Sequence, residues 1–178
     1  MRPFLSAATG FLLIGSQGAL AQPAPSAADI INSLKPGTGQ LSSPTRGIRP
    51  ALPAPSATAN EAAPSVNLTV NFATGSASLT PSAEHTLDAL GKALTSNDLS
   101  AYRFRVEGHT DTVGTPDSNR ALSQKRAETV ASYLETKFGV PAAKLDAVGI
   151  GQDDLLVPTP DQTPEAKNRR VKIVNLGA

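Results

Sequence analysis

The stretch Glu107–Ala127, EGHTDTVGTPDSNRALSQKRA, decides how the rest of the chain is read. It begins as a strand ends, crosses a loop rich in Gly, Thr, Asp and Pro, and then enters a helix. Loops held by such a scaffold carry binding residues more often than the scaffold does. Two residues in it have opposite charge at a fixed spacing: Asp111 in the loop, and Arg126 two turns into the helix. At about 100° per residue, Arg126 lies about 40° round from Leu122 and near Val130 and Tyr133. That places it at the margin of an apolar stripe of Leu122, Ala127, Val130, Ala131, Leu134 and Phe138. Lys125 and Glu128 fall well off the stripe and read as solvated charges. Two roles stay open for Asp111 and Arg126 at this point: a salt bridge pinning loop to helix, or a pair that meets a ligand.

Working outward, the segments on either side alternate cleanly. Tyr102, Phe104 and Val106 alternate with Arg103, Arg105 and Glu107, a half-buried strand with one wet side. Upstream, Val66, Leu68, Val70 and Phe72 alternate with Asn67, Thr69 and Asn71, a second such strand. Between them Thr80 caps a helix with Pro81 at its first position, and Ala83, Leu87, Leu90 and Leu94 form its buried face. Downstream, the helix from about Ser118 to Phe138 stops at Gly139 and Pro141. Leu145–Gly149 and Val171–Leu176 read as two short strands, separated by a Pro- and Asp-rich excursion, Gln152–Lys167, with room for a helical turn. The order is β-α-β-α-β-loop-β. Strands with one polar face predict a two-layer α/β (α+β) sandwich, both helices lying on one face of a mixed sheet.

The remaining chain is of another character. The 178 residues carry a formal net charge of +1 and no Cys, which suits one modest domain with additional chain. Near-neutral charge argues against nucleic acid, which needs a clustered basic footprint. The absence of Cys excludes disulfides and thiolate metal sites. Residues 1–21 have the form of a secretory signal peptide: Arg2, then an apolar run from Phe4 to Ile14, then Ala19-Leu20-Ala21. Cleavage after Ala21 is expected, with retention as an anchor the other reading. Lacking Cys at that junction, the chain is not expected to be a lipoprotein. Residues 22–64 hold eight of the fifteen prolines and no aromatic residue, too little apolar surface to offset chain entropy, and so read as a disordered tether. One island, residues 27–35, places Ile30, Ile31 and Leu34 on one helical face. It is either a transient helix or a docking segment, for an envelope protein partner or for the domain itself.

Taken together, Gly108-His109-Thr110-Asp111, Gly114, Asn119, Leu122-Ser123 and Arg126-Ala127 resemble the signature of the OmpA-like C-terminal domain family. Val70-Asn71-Phe72 with Leu79, and Asn168-Arg169-Arg170-Val171, match its two ends, so residues 65–178 read as one such domain. The resemblance implies non-covalent binding of peptidoglycan through the diaminopimelate of its stem peptide. By position, Asp111 would hold the ligand's ammonium group and Arg126 its carboxylate. Thr110 and Asn119 would add hydrogen bonds, and N–H groups at the helix start would help hold a carboxylate. Arg169 and Arg170 read as structural, one pairing with a carboxylate and one framing the site's edge, with Arg169 counted among the ligand-binding residues. Many members carry Asp after the first-strand Phe where this chain has Ala73, which weakens any contact from that loop. A zwitterion needs one anion and one cation close together, and guanidinium meets carboxylate in bidentate fashion.

Catalysis has little support in these residues. Ser123 lies on the apolar stripe with no His within the motif, and His109 with Asp111 finds no second cluster to complete a metal site. Asp153, Asp154 and Asp161 lack the alternation of a calcium loop. No enzyme, cofactor or metal is expected. The expected protein is a periplasmic, outer-membrane-associated wall binder. The alternative is an anchored, motor-stator-like envelope protein in which wall binding fixes an assembly.

Overall fold

The structure is a computed structural model that describes residues 25–36, 63–72 and 75–178. The candidate signal segment, most of the Pro-rich segment and Ala73 lie outside the described residues. Strands β1 (Ser65–Leu68), β2 (Arg103–His109), β3 (Leu145–Gly151) and β4 (Val171–Gly177) form one mixed sheet in the order β1-β4-β2-β3. The chain is thus α/β, as the alternation of strand and helix predicts. β4 runs antiparallel to both β1 and β2, while β2 and β3 are parallel. The last strand is therefore inserted between the first two, a topology that local periodicity does not reveal.

Helix α2 (Pro81–Leu94) starts as expected, with the Thr80 side chain accepting from the Ala83 N–H and Pro81 in the first turn. Its face of Ala83, Leu87, Leu90 and Leu94 is buried. Helix α3 (Pro116–Phe138) starts two residues before the expected Ser118, because Thr115-Pro116 repeats the Thr80-Pro81 device. It ends at Gly139, whose φ of 66° is the left-handed conformation that glycine adopts without penalty. Phe104, Val106, Val171 and Ile173 project from the sheet into the same core as Leu87, Leu90, Val130 and Leu134. The opposite sheet face carries ion pairs, Arg105 with Asp146 at 2.9 Å and Lys172 with Glu107 at 3.4 Å.

The buried face of α3 is rotated from the expected stripe. Leu122 is only half-buried, whereas Ser123 and Arg126 are buried. The reason lies in two strand glycines. A Cβ at Gly108 would collide with the Ser123 carbonyl, and one at Gly149 with the backbone of Gln124. Their absence of side chains lets the helix backbone rest directly on β2 and β3. Gln124 then donates to the Ala147 carbonyl and accepts from the Gly149 N–H, and the Gly151 N–H donates to Ser123 Oγ. These bonds cover the outer edge of β3, an edge that would otherwise offer unpaired backbone groups.

The island at 27–35 forms helix α1 (Ala27–Leu34), opened by a capping box between Ser26 and Asp29. It packs on the domain: Ile30 and Leu34 are fully buried, Asn175 Nδ2 donates to the Leu34 carbonyl at 2.8 Å, and Lys35 pairs with Asp98 at 2.8 Å. Of the two docking targets left open above, the domain itself takes the apolar face. The excursion at 152–167 contains turns and bends rather than a helix, and its end is wound by two successive turns, the Asn168 N–H donating to the Glu165 carbonyl and the Arg169 N–H to the Ala166 carbonyl, both at 3.2 Å.

Candidate functional site

A cleft of about 490 Å³ opens beside the N-terminal half of α3. Residues 69–72 and Gly75 form one wall, and the loop after β2 forms the floor. Pro164, Ala166 and Arg169 form the far wall. All five residues singled out by the resemblance, Thr110, Asp111, Asn119, Arg126 and Arg169, line this one cleft.

Asp111 is 7% exposed. Its Oδ2 accepts from Arg169 Nη1 at 2.7 Å, and its Oδ1 accepts from the Val113 N–H at 3.4 Å. The loop-to-helix salt bridge weighed above does not form: Arg169, placed beside the loop where the chain turns into β4, takes the carboxylate instead. Arg126 is 7% exposed as well, and among the described residues no carboxylate lies within ion-pair distance of it. Its Nε donates to the Ser76 carbonyl at 3.1 Å, and its guanidinium stacks over Phe72 at 4.8 Å from the ring centre. Burial first, then the nearby Arg169, push the Arg126 pKa below its ordinary value, with Asp111 acting in the opposite direction. The cleft therefore holds one carboxylate and two guanidiniums, one paired and one resting on an aromatic face.

Thr110 is almost fully buried, its N–H donating to the Gly151 carbonyl at 2.8 Å. Its Oγ1 is buried with no partner, a state that costs roughly 1–3 kcal/mol when nothing meets the hydroxyl. Asn119 Nδ2 donates to the Asp111 carbonyl at 3.3 Å and to Gln152 Oε1 at 2.7 Å, so it braces the loop from the helix. The start of α3 departs from expectation. The Ser118 N–H is taken by Thr115 Oγ1 and the Asn119 N–H by the Thr115 carbonyl, while Pro116 has no N–H. The early cap leaves few donors there for a ligand carboxylate.

Three contributors escaped the sequence. Phe72 was read as a core residue and also carries the Arg126 guanidinium. Thr112 Oγ1 donates to the Pro160 carbonyl at 2.7 Å and accepts from the Thr163 N–H at 3.1 Å. Gln162 bonds both backbone groups of Gly114. No local pattern marks the last two, since their partners lie 48 or more residues away. His109 is buried, its two ring nitrogens without a hydrogen-bond partner and its Nε2 3.8 Å from the Glu107 carboxylate. Burial, with help from Arg170, lowers its pKa to about 4, which keeps the ring neutral. Ser123 donates to the Arg120 carbonyl at 2.8 Å and joins helix to strand. Arg170, expected to be structural, bonds Asn67 at 3.0 Å and Asp154 at 3.2 Å.

A family model described as the OmpA family matches residues 71–170. The chain is 34% identical over 96 residues to the outer-membrane lipoprotein YfiB of Pseudomonas aeruginosa, covering 54% of this chain and 55% of that protein. It is 45% identical over 74 residues to the peptidoglycan-associated lipoprotein of Haemophilus influenzae, covering 42% of this chain and 48% of that protein. The chain thus spans about half the length of these relatives. Among solved structures, the peptidoglycan-associated lipoprotein from Burkholderia pseudomallei superposes with a TM-score of 0.52 at 32% identity, over 60% of this chain and 87% of that one. The cell wall anchor of the T6SS from Pseudomonas aeruginosa gives 0.52 at 27% identity, over 64% and 81%.

Proposed function

The chain belongs to the OmpA family, and from that membership and the charges of the cleft we propose that it binds cell-wall peptidoglycan and ties an envelope component to the wall. It is a binding module, not an enzyme. The ligand group is the zwitterionic end of diaminopimelate in the stem peptide. One observation carries the reading: Asp111 and Arg126, both buried and not paired with each other, line one cleft together with Thr110, whose buried hydroxyl has no partner. Arg126, lacking a carboxylate partner among the described residues, receives the ligand's carboxylate. Asp111 receives the ammonium group, which shares that carboxylate with Arg169 or displaces it. Thr110 and Asn119 add hydrogen bonds, and Arg169 closes the edge.

Two relatives are named as lipoproteins, whereas these 178 residues contain no Cys to accept a lipid. Among the described residues no helix is long and apolar enough to cross a membrane. We place the domain in the periplasm beside the wall, delivered there by the segment at 1–21. The test is a pull-down of the full chain with purified sacculi containing free diaminopimelate. Asp111→Ala and Arg126→Ala are each expected to weaken binding by about tenfold or more, the loss for one member of a desolvated charge pair. Lys125→Ala, at an exposed position that does not line the cleft, is expected to bind like the parent. Parental binding by both site variants, with folded circular dichroism spectra, would move the site elsewhere.

A further inference from the structure

We propose that Gln162, in the excursion between β3 and β4, is a positioning residue for the cleft and sets the aim of Asp111. The proposal rests on the wall-binding reading above. Its geometry is a bracket around one residue. The Gln162 N–H donates to the Thr112 carbonyl at 3.0 Å. The Gln162 side chain passes Val113 and pairs with both backbone groups of Gly114, accepting from its N–H at 3.0 Å and donating to its carbonyl at 2.8 Å. Between these two anchors lies Val113, whose N–H donates to Asp111 Oδ1. Gln162 thus holds the peptide on each side of the one loop N–H that orients the carboxylate.

The arrangement is costly for an exposed glutamine. Gln162 has φ 57°, in the left-handed region, and among the described residues it is the one non-glycine with positive φ. Such a conformation persists where the surroundings over-determine it, and it concentrates at binding sites. Here the surroundings are the Thr112 hydrogen bonds to Pro160 and Thr163 and the two hydrogen bonds to Gly114, itself at φ 102°. An exposed side chain also gives up rotamer freedom for two backbone partners that water could serve equally well. The core has no use for this cost, since the turn at 160–163 lies outside the buried hydrophobic cluster. What the bracket does determine is the loop carrying Thr110 and Asp111.

The experiment measures sacculus binding of the full chain for the parent, Gln162→Ala and Gln162→Glu, each also in the Asp111→Ala background. Gln162→Glu keeps the shape and the acceptor for the Gly114 N–H but sets a carboxylate oxygen against the Gly114 carbonyl. In the parent background both substitutions are expected to weaken binding about three- to tenfold, and in the Asp111→Ala background to cost nothing further, because they act through Asp111. A merely structural role gives equal losses in both backgrounds and overturns the proposal. So does parental binding by Gln162→Glu, the variant that keeps the assignment testable if Gln162→Ala fails to fold. A parent chain that does not bind sacculi contradicts the wall-binding reading instead, which separates the two failures.

Discussion

The two walls of the cleft hold a guanidinium in opposite ways. On the wall built by Phe72, Ser76 and α3, Arg126 rests on an aromatic face with a single hydrogen bond to a backbone carbonyl. On the wall built by 160–169, Arg169 is locked to Asp111 at 2.7 Å, beside a loop stitched down through Thr112 and Gln162. Arg126 is nearly buried, while the Arg169 side chain is 45% exposed. The comparison separates two jobs. A buried cation without a counterion is expensive unless an anion arrives, which is the ground for proposing a ligand carboxylate at Arg126. In the Arg169–Asp111 pair only the guanidinium reaches solvent, at 45% exposure against 10% for the Asp111 side chain, so in the proposed reading Arg169 is the partner that can share or yield the carboxylate.

Breaking the support of the first wall has the largest effect. Leu134, fully buried below Arg126 on α3, is expected to cost roughly 2–5 kcal/mol on truncation to Ala; a urea titration giving under about 1 kcal/mol would show the helix to be held otherwise.

The floor between the walls can be probed with acid. His109 has a folded pKa of about 4 against an ordinary 6.5, so the unfolded chain binds the proton more readily. Its contribution is fully present above about pH 6.5, is lost as pH falls towards 4, and amounts to at most about 3 kcal/mol. Replacing His109 with Gln is expected to flatten the stability-against-pH profile between those values. An unchanged profile would place the acid sensitivity in the carboxylates.

Phe72→Leu keeps an apolar side chain and removes the ring face under Arg126. The expected loss of sacculus binding is a fewfold, corresponding to about 0.5–1 kcal/mol of cation–π attraction. An effect as large as that of Arg126→Ala would mean that Phe72 meets the ligand itself. The smallest effect belongs to Arg105→Ala on the open sheet face: a half-exposed pair with Asp146 predicts less than about 1 kcal/mol, with sacculus binding unchanged. Weakened binding there would extend the site to the far side of the sheet.

Much of this was legible in the chain because it is local. Thr80-Pro81 announces α2, alternation from Tyr102 to Glu107 announces β2, and Ile30, Ile31 and Leu34 announce an amphipathic helix. The destination of that helix was not legible, since its partners, among them Asn175, lie far along the chain. Arg126 was placed at the stripe's margin because side-chain periodicity ignores backbone approach; Gly108 and Gly149 shift the contact so that Arg126 faces inward. The Arg169–Asp111 pair spans 58 residues, and only the insertion of β4 between β1 and β2 brings it together. Gathering of the five cleft residues followed from linked motifs, whereas the bracing by Thr112 and Gln162 left no mark in any one segment.

The central claim is that this cleft reads a zwitterion, with its two charges met by Asp111 and Arg126. Isothermal titration of the full chain with a soluble stem peptide ending in diaminopimelate tests it directly, alongside the same peptide acetylated on the free amine and the same peptide amidated on the free carboxylate. The account predicts that each modification weakens binding by about tenfold or more, and that Arg126→Ala no longer distinguishes the amidated peptide from the free one. Equal affinity for all three peptides would contradict it.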